Sequence, residues 1–116
     1  MATALASRTC VPCTRSTPRL SPEQIAELMP QLDGWSVQDD RKLVKMYRFP
    51  DFASGLAFVN RAGAVAEAEG HHPDLHLSWG RVGAVVSTHA IGGLSENDFI
   101  LAAKLDQVLA EAASAG

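Results

Sequence analysis

The sequence predicts an α+β fold: a four-stranded antiparallel sheet with helices packed on one face, in the order α-ββ-α-ββ-α. Three observations predict it. Two pairs of alternating, strand-length runs are each joined by a short turn, which marks hairpins rather than parallel crossovers. Helix-like patterns lie before, between and after the pairs. Finally, 116 residues with 47% hydrophobic and 20% charged side chains suit one domain with a single core.

The first twenty residues, MATALASRTCVPCTRSTPRL, contain no acid and three arginines and are rich in Ser, Thr and Pro. That bias fits a flexible tail and is shared by short transit peptides. The expected organisation is therefore a flexible tail over 1–20 and a folded domain over 21–116. Cys10 and Cys13 form a C-x-x-C pair. Such a pair can supply two zinc ligands or a redox couple, but a closed zinc site needs about four ligands. No βαβ pattern surrounds it, so reduced thiols in a mobile tail are the plainer expectation.

SPEQIAELMPQL opens with Ser21 as a cap, Pro22 at the first helical position and Gln24 placed for a capping box. Ile25, Leu28 and Met29 form its apolar stripe, and Pro30 stops it. DGW at 33–35 is a turn leading into the strand WSVQ. After DDR, Leu43, Lys45, Tyr47 and Phe49 alternate with Val44, Met46 and Arg48, completing the first hairpin. DFASGLAFVNRAGAVAEAE reads as a helix starting at Asp51, with Phe52, Leu56, Val59, Gly63 and Ala66 as its buried stripe and Gly70 as its stop. DLHLSW and VGAVVSTH flank Gly80-Arg81 as the second hairpin. The last helix, SENDFILAAKLDQVLAEAA, starts at Ser95 and Asp98 and turns Leu101, Leu105, Val108, Leu109 and Ala112 to one side.

A net charge of −3 and pI near 5.7 give no footprint for nucleic acid or an anionic membrane surface. No apolar run reaches the roughly 18–20 residues of a membrane span. A cytoplasmic location is expected.

All four histidines lie between residues 71 and 89, so proton transfer and metal binding both come into view. His72 and His76 would share a helical face, as zinc ligands do. Pro73 argues against a helix there, and DLHLSW alternates as a strand, which puts His76 on an outward face with Asp74 and Ser78. No metal site is expected. His71 and His72 follow a helix C-terminus, with Glu67 and Glu69 near, a setting that favours imidazolium. The second hairpin returns His89 towards them. The three form either an acid–base cleft or a set of surface and strand-end residues; spacing alone leaves both open.

The run EAEGHHPDLHLSWGRVGAVVSTHAIGGLSEND resembles the signature of the pterin-4a-carbinolamine dehydratases. The pattern falls on Glu67, His71-His72-Pro73, Trp79, Thr88-His89, Gly93-Leu94-Ser95 and Asp98. The resemblance extends weakly back to about residue 21. It implies the α+β fold already read and dehydration of 4a-hydroxytetrahydrobiopterin to the quinonoid dihydropterin, in tetrahydrobiopterin recycling, with no metal and no organic cofactor. It implies His71, His72 and His89 as catalytic imidazoles, Pro73, Thr88, Ala90 and Ile91 as substrate-binding, and Glu67 and Asp98 as carboxylates that orient them. For Asp98, plain helix capping is an equal alternative, and for Trp79 packing is preferred to pterin stacking. The resemblance also implies a homodimer or homotetramer and a functional link to phenylalanine hydroxylase. Gly70 stands where an acid is often found and Ile91 where a small or sulfur side chain can occur, which bears on pocket polarity. The competing class is a non-catalytic binding module, such as a RuBisCO-assembly factor or a transcriptional dimerisation partner. All three motif histidines are present, which favours the enzyme.

Overall fold

The computed structural model describes Leu5, Cys10 and residues 18–115, with side chains followed to Leu109. In chain order the elements are α1 (Pro22–Leu28), β1 (Ser36–Gln38), β2 (Lys42–Arg48), α2 (Phe52–Glu69), β3 (Asp74–Ser78), β4 (Arg81–Val86) and α3 (Glu96–Ala115). Short 3₁₀ turns, Met29–Gln31 and His89–Ile91, follow α1 and β4. The sheet is wholly antiparallel with order β1-β2-β4-β3, so the two hairpins join through β2 and β4. This is the expected α+β layout, and no helix among the described residues is long and apolar enough to cross a membrane.

The local chemistry explains most boundaries. Ser21 and Gln24 make both halves of a capping box at α1. The first hairpin turns at Asp39 and Asp40, both left-handed (φ 54° and 55°), a conformation that short polar side chains tolerate. The second turns at Trp79-Gly80, one residue earlier than expected, because Gly80 takes the positive φ of 77°. Trp79 sits at that tip and is 72% exposed, so the expected packing of its ring is not found among the described residues.

One face of the sheet carries Leu43, Tyr47, Val82, Ala84 and Val86, all buried under α2 and α3. The stripe that α2 buries matches the expected one at Ala66, with Val59 partly buried against the core, and departs from it elsewhere. Gly55, Phe58 and Ala62 are buried as well, whereas Phe52, Leu56 and Gly63 lie outside. An Ala/Gly-rich helix offers two plausible stripes, and close approach decides between them. A Cβ on Gly55 would lie 3.1 Å from Leu77, and Phe58 stacks at 4.6 Å and 5.4 Å ring separation on Tyr47 and Phe49.

The first two turns of α3 are buried nearly all round, from Asn97 through Ala103. Its midpoint is pinned by Asp106. That carboxylate accepts from Trp35 Nε1 (3.0 Å), Lys45 Nζ (2.8 Å) and Tyr47 Oη (2.7 Å). Lys45 thus points inward from the apolar face of β2, with its charge neutralised by Asp106. Burial and the Asp106 charge push the Tyr47 phenol well above its ordinary value. Ala112, assigned to the buried stripe of α3, lies beyond the described side chains.

Most of the stretch 1–20 is outside the described residues, Cys13 included. Of the described positions in it, Leu5 is 2% and Cys10 8% exposed, and both belong to the main core.

Candidate active site

Three segments converge at one end of the sheet. The first is the end of α2. Gly70 is left-handed (φ 66°), its N–H bonds the carbonyl of Glu67, and the His71 N–H bonds that of Ala66. This Schellman closure terminates the helix and turns the chain towards β3, fixing where His71 stands. The second is the loop after β4. Thr88 and Gly93 bridge to each other, and the 3₁₀ turn between them displays His89 and Ala90 at the surface with Ile91 half-buried. His89 therefore opens a turn rather than ending the strand, since β4 stops at Val86. The third is the N-terminus of α3, with Ser95 before the helix and Asp98 at its third position.

Asp98 joins all three. It is completely buried, and both of its oxygens are hydrogen-bonded. Its Oδ1 lies 2.6 Å from His71 Nε2. Its Oδ2 accepts from the Thr88 hydroxyl at 2.7 Å and the Ser95 N–H at 2.8 Å. Thr88 spends its one proton there, so the 2.9 Å contact with Ser95 Oγ is donated by Ser95. The register of β3 on β4, continued past the strand ends, sets Thr88 opposite His71 and explains why one carboxylate reaches both. The helix N-terminus favours an anion at this position as well. Asp98 both caps the helix and holds the imidazole.

A carboxylate only accepts hydrogen bonds, so the proton of the His71–Asp98 bond is on Nε2. Nδ1 is the ring nitrogen left for chemistry. His71 is 11% exposed at the side chain: shielded but not sealed. His72 differs. Its Nε2 lies 2.8 Å from Glu67 Oε1, but the two side chains are 62% and 81% exposed, and such a pair holds its geometry weakly. Pro73 follows, half-buried, and β3 begins at Asp74. His76 points away from the helices, opposite Gly83. His72 and His76 share no helical face, and among the described residues no three His, Cys, Asp or Glu groups gather as a metal site.

Thr88, assigned to substrate binding, is buried with its hydroxyl engaged, so it supports Asp98 from behind. The sequence carried no direct sign of that role, nor of Ser95 as a direct partner of Asp98 beyond the S-x-x-D capping pattern.

A buried carboxylate thus holds one imidazole, with two more histidines on adjoining segments of an α+β domain, an arrangement that could exchange protons. The chain belongs to the pterin 4 alpha carbinolamine dehydratase family, whose model matches residues 18–108. A relative from Rubrobacter xylanophilus is 46% identical over 104 residues, spanning 90% of this chain and 97% of its own. A solved structure described as a transcriptional coactivator/pterin dehydratase from Brucella melitensis superposes with TM-score 0.74 at 30% identity, covering 78% of this chain and 98% of that one. A pterin dehydratase-like RuBisCO assembly factor of the alpha-carboxysome superposes with TM-score 0.57 at 23% identity, covering 66% and 89%, which is a likeness of fold.

Proposed function

We propose that this chain dehydrates 4a-hydroxytetrahydrobiopterin to quinonoid dihydrobiopterin by histidine acid–base catalysis. The observation that carries the reading is the His71–Asp98 pair, present at the motif positions of a dehydratase family. The reaction breaks the C4a–O bond, gives the departing hydroxyl a proton so that it leaves as water, and removes a proton from a ring nitrogen. Two groups with opposite starting protonation are needed. His71 suits the base: its Nε2–H is held, its Nδ1 is left to accept, and the Asp98 charge compensates the charge that the ring gains. His72 and His89 are exposed and suit donation to the departing hydroxyl and proton return to solvent. Glu67 orients His72. Pro73, Ala90 and Ile91 line the pterin, whose bicyclic ring is the part the chemistry requires.

The residues invoked ask for neither a metal nor an organic cofactor. A homodimer or homotetramer is the expected assembly, supported by the apolar Phe52 and Leu56 on the outer face of α2 (43% and 42% exposed) and by β1 and β3 as sheet edges. A phenylalanine hydroxylase is the expected source of substrate, and the cytoplasm the expected location.

The test is release of quinonoid dihydropterin from synthetic carbinolamine, followed by absorbance. Wild-type protein should accelerate it well beyond buffer, equally before and after exhaustive chelation. No acceleration, with stable capture of a RuBisCO subunit or a homeodomain instead, would establish the non-catalytic alternative.

A further inference from the structure

We propose that three residues ahead of α1, Cys10, Arg19 and Leu20, together act as a strap that sets the geometry of the acid–base centre, with Cys10 and Arg19 as positioning residues; this rests on the functional reading above. His71, His89 and Asp98 come from three segments, and the sheet's hydrogen bonds fix only the strands between them. The strap touches all three. The Cys10 N–H donates to Glu69 Oε1 at 2.8 Å, two residues before His71. The Cys10 S–H donates to the Asn97 carbonyl at 3.6 Å, immediately before Asp98. Arg19 Nη1 donates to the Gly92 carbonyl at 3.1 Å, and the Leu20 N–H to that of Leu94 at 2.9 Å, in the loop that displays His89.

The packing is as specific as the hydrogen bonds. Arg19 lies on Gly93 so closely that a Cβ there would collide with its Cδ. Leu5 and Cys10 are both buried in the main core. Burial and the Glu69 charge push the Cys10 thiol up to about 12, so at neutral pH it is a held donor rather than a nucleophile. Glu69 also faces Lys104 of α3 at 3.9 Å, so the strap binds a carboxylate that already spans the two helices.

The experiment uses the full chain with Cys10→Ala, Cys10→Ser, Arg19→Ala and Gly93→Ala. Each variant is assayed for kcat and KM on carbinolamine at a temperature where circular dichroism shows it folded. The His71 ring nitrogens are followed by ¹⁵N NMR without substrate. A displacement of about 1 Å at a catalytic group can cost on the order of 100-fold, so partial loosening should cost about 3- to 30-fold. We expect kcat to fall by that factor in Cys10→Ala and Gly93→Ala with KM within about twofold, and the His71 Nε2 proton signal to shift. Cys10→Ser, which keeps a donor, should recover most of the loss. Arg19→Ala, at an exposed side chain, should show a smaller effect in the same direction while keeping the fold. Full kcat and an unmoved His71 signal in Arg19→Ala and Gly93→Ala would overturn the strap. Wild-type protein without activity would instead overturn the functional reading, while the NMR arm still tests the strap alone.

Discussion

Replacing Asp98 by Asn changes one buried oxygen into an NH₂ at nearly constant volume, and its consequence can be worked through bond by bond. Oδ2 accepts twice, from Thr88 and Ser95, and Oδ1 once, from His71. The amide must keep its oxygen on the side with two donors, so its NH₂ faces His71 Nε2. Two donors then confront each other, and His71 relieves the clash by moving its proton to Nδ1. The nitrogen needed as a base becomes a donor. Loss of a positioned base costs about 10²- to 10⁴-fold, so kcat/KM should fall by that much. Stability should fall less, by roughly the 1.5–3 kcal/mol of one hydrogen bond to a charged group. Each kcal/mol corresponds to a Tm decrease of about 4–8 °C in a domain near this size. The assay is steady-state dehydration well below Tm, with ¹⁵N NMR reporting the tautomer. Wild-type kcat/KM in Asp98→Asn, or a loss that merely follows the unfolded fraction, would refute the argument.

Further outcomes follow from other contacts. His71→Ala and His89→Ala should each lower kcat/KM by about 10²- to 10⁴-fold, whereas His76→Ala, on the outward face, should leave it within about twofold; equal damage at His76 would show the roles to be misassigned. Asp106→Ala strands Lys45 and two further donors, so urea unfolding should show a loss of about 3–5 kcal/mol with activity kept at low temperature; a loss under 1 kcal/mol would mean that the network is solvated. Cys10 and Tyr47 both hold their protons more tightly folded than unfolded. The stability they add is full below about pH 9 and is lost as pH rises towards 12, so unfolding free energy should decline across that range and decline less in Cys10→Ala/Tyr47→Phe.

Legibility in the sequence followed the range of the interaction that decides each feature. The caps at Ser21 and Gly70 and the two hairpins are local, and they stand where spacing put them, except that the second hairpin turns one residue early. Of the expected α2 stripe Ala66 is buried and Val59 partly so, but Phe52, Leu56 and Gly63 give way to Gly55, Phe58 and Ala62, because that choice is made by Leu77, Phe49 and Tyr47 outside the helix. Lys45 shares its alternation with Leu43, Tyr47 and Phe49, but the partner that neutralises it there, Asp106, lies 61 residues away and leaves no local sign. The burial of Leu5 and Cys10 was not legible either, because composition cannot show that two side chains have places in the core. At the site the histidine cluster was visible, and Asp98 was visible as a cap. Its grip on His71 and the inward turn of Thr88 depend on strand register, which only the folded chain displays.

The central claim is that His71, held by Asp98, is the base of a pterin dehydration. Its most direct measurement is the pre-steady-state rate of water loss from synthetic 4a-hydroxytetrahydrobiopterin with wild-type protein and with His71→Ala, both verified as folded. The account predicts rapid single-exponential turnover by wild-type and a rate lower by about 10²- to 10⁴-fold in the variant. A His71→Ala protein that turns over at the wild-type rate would contradict it.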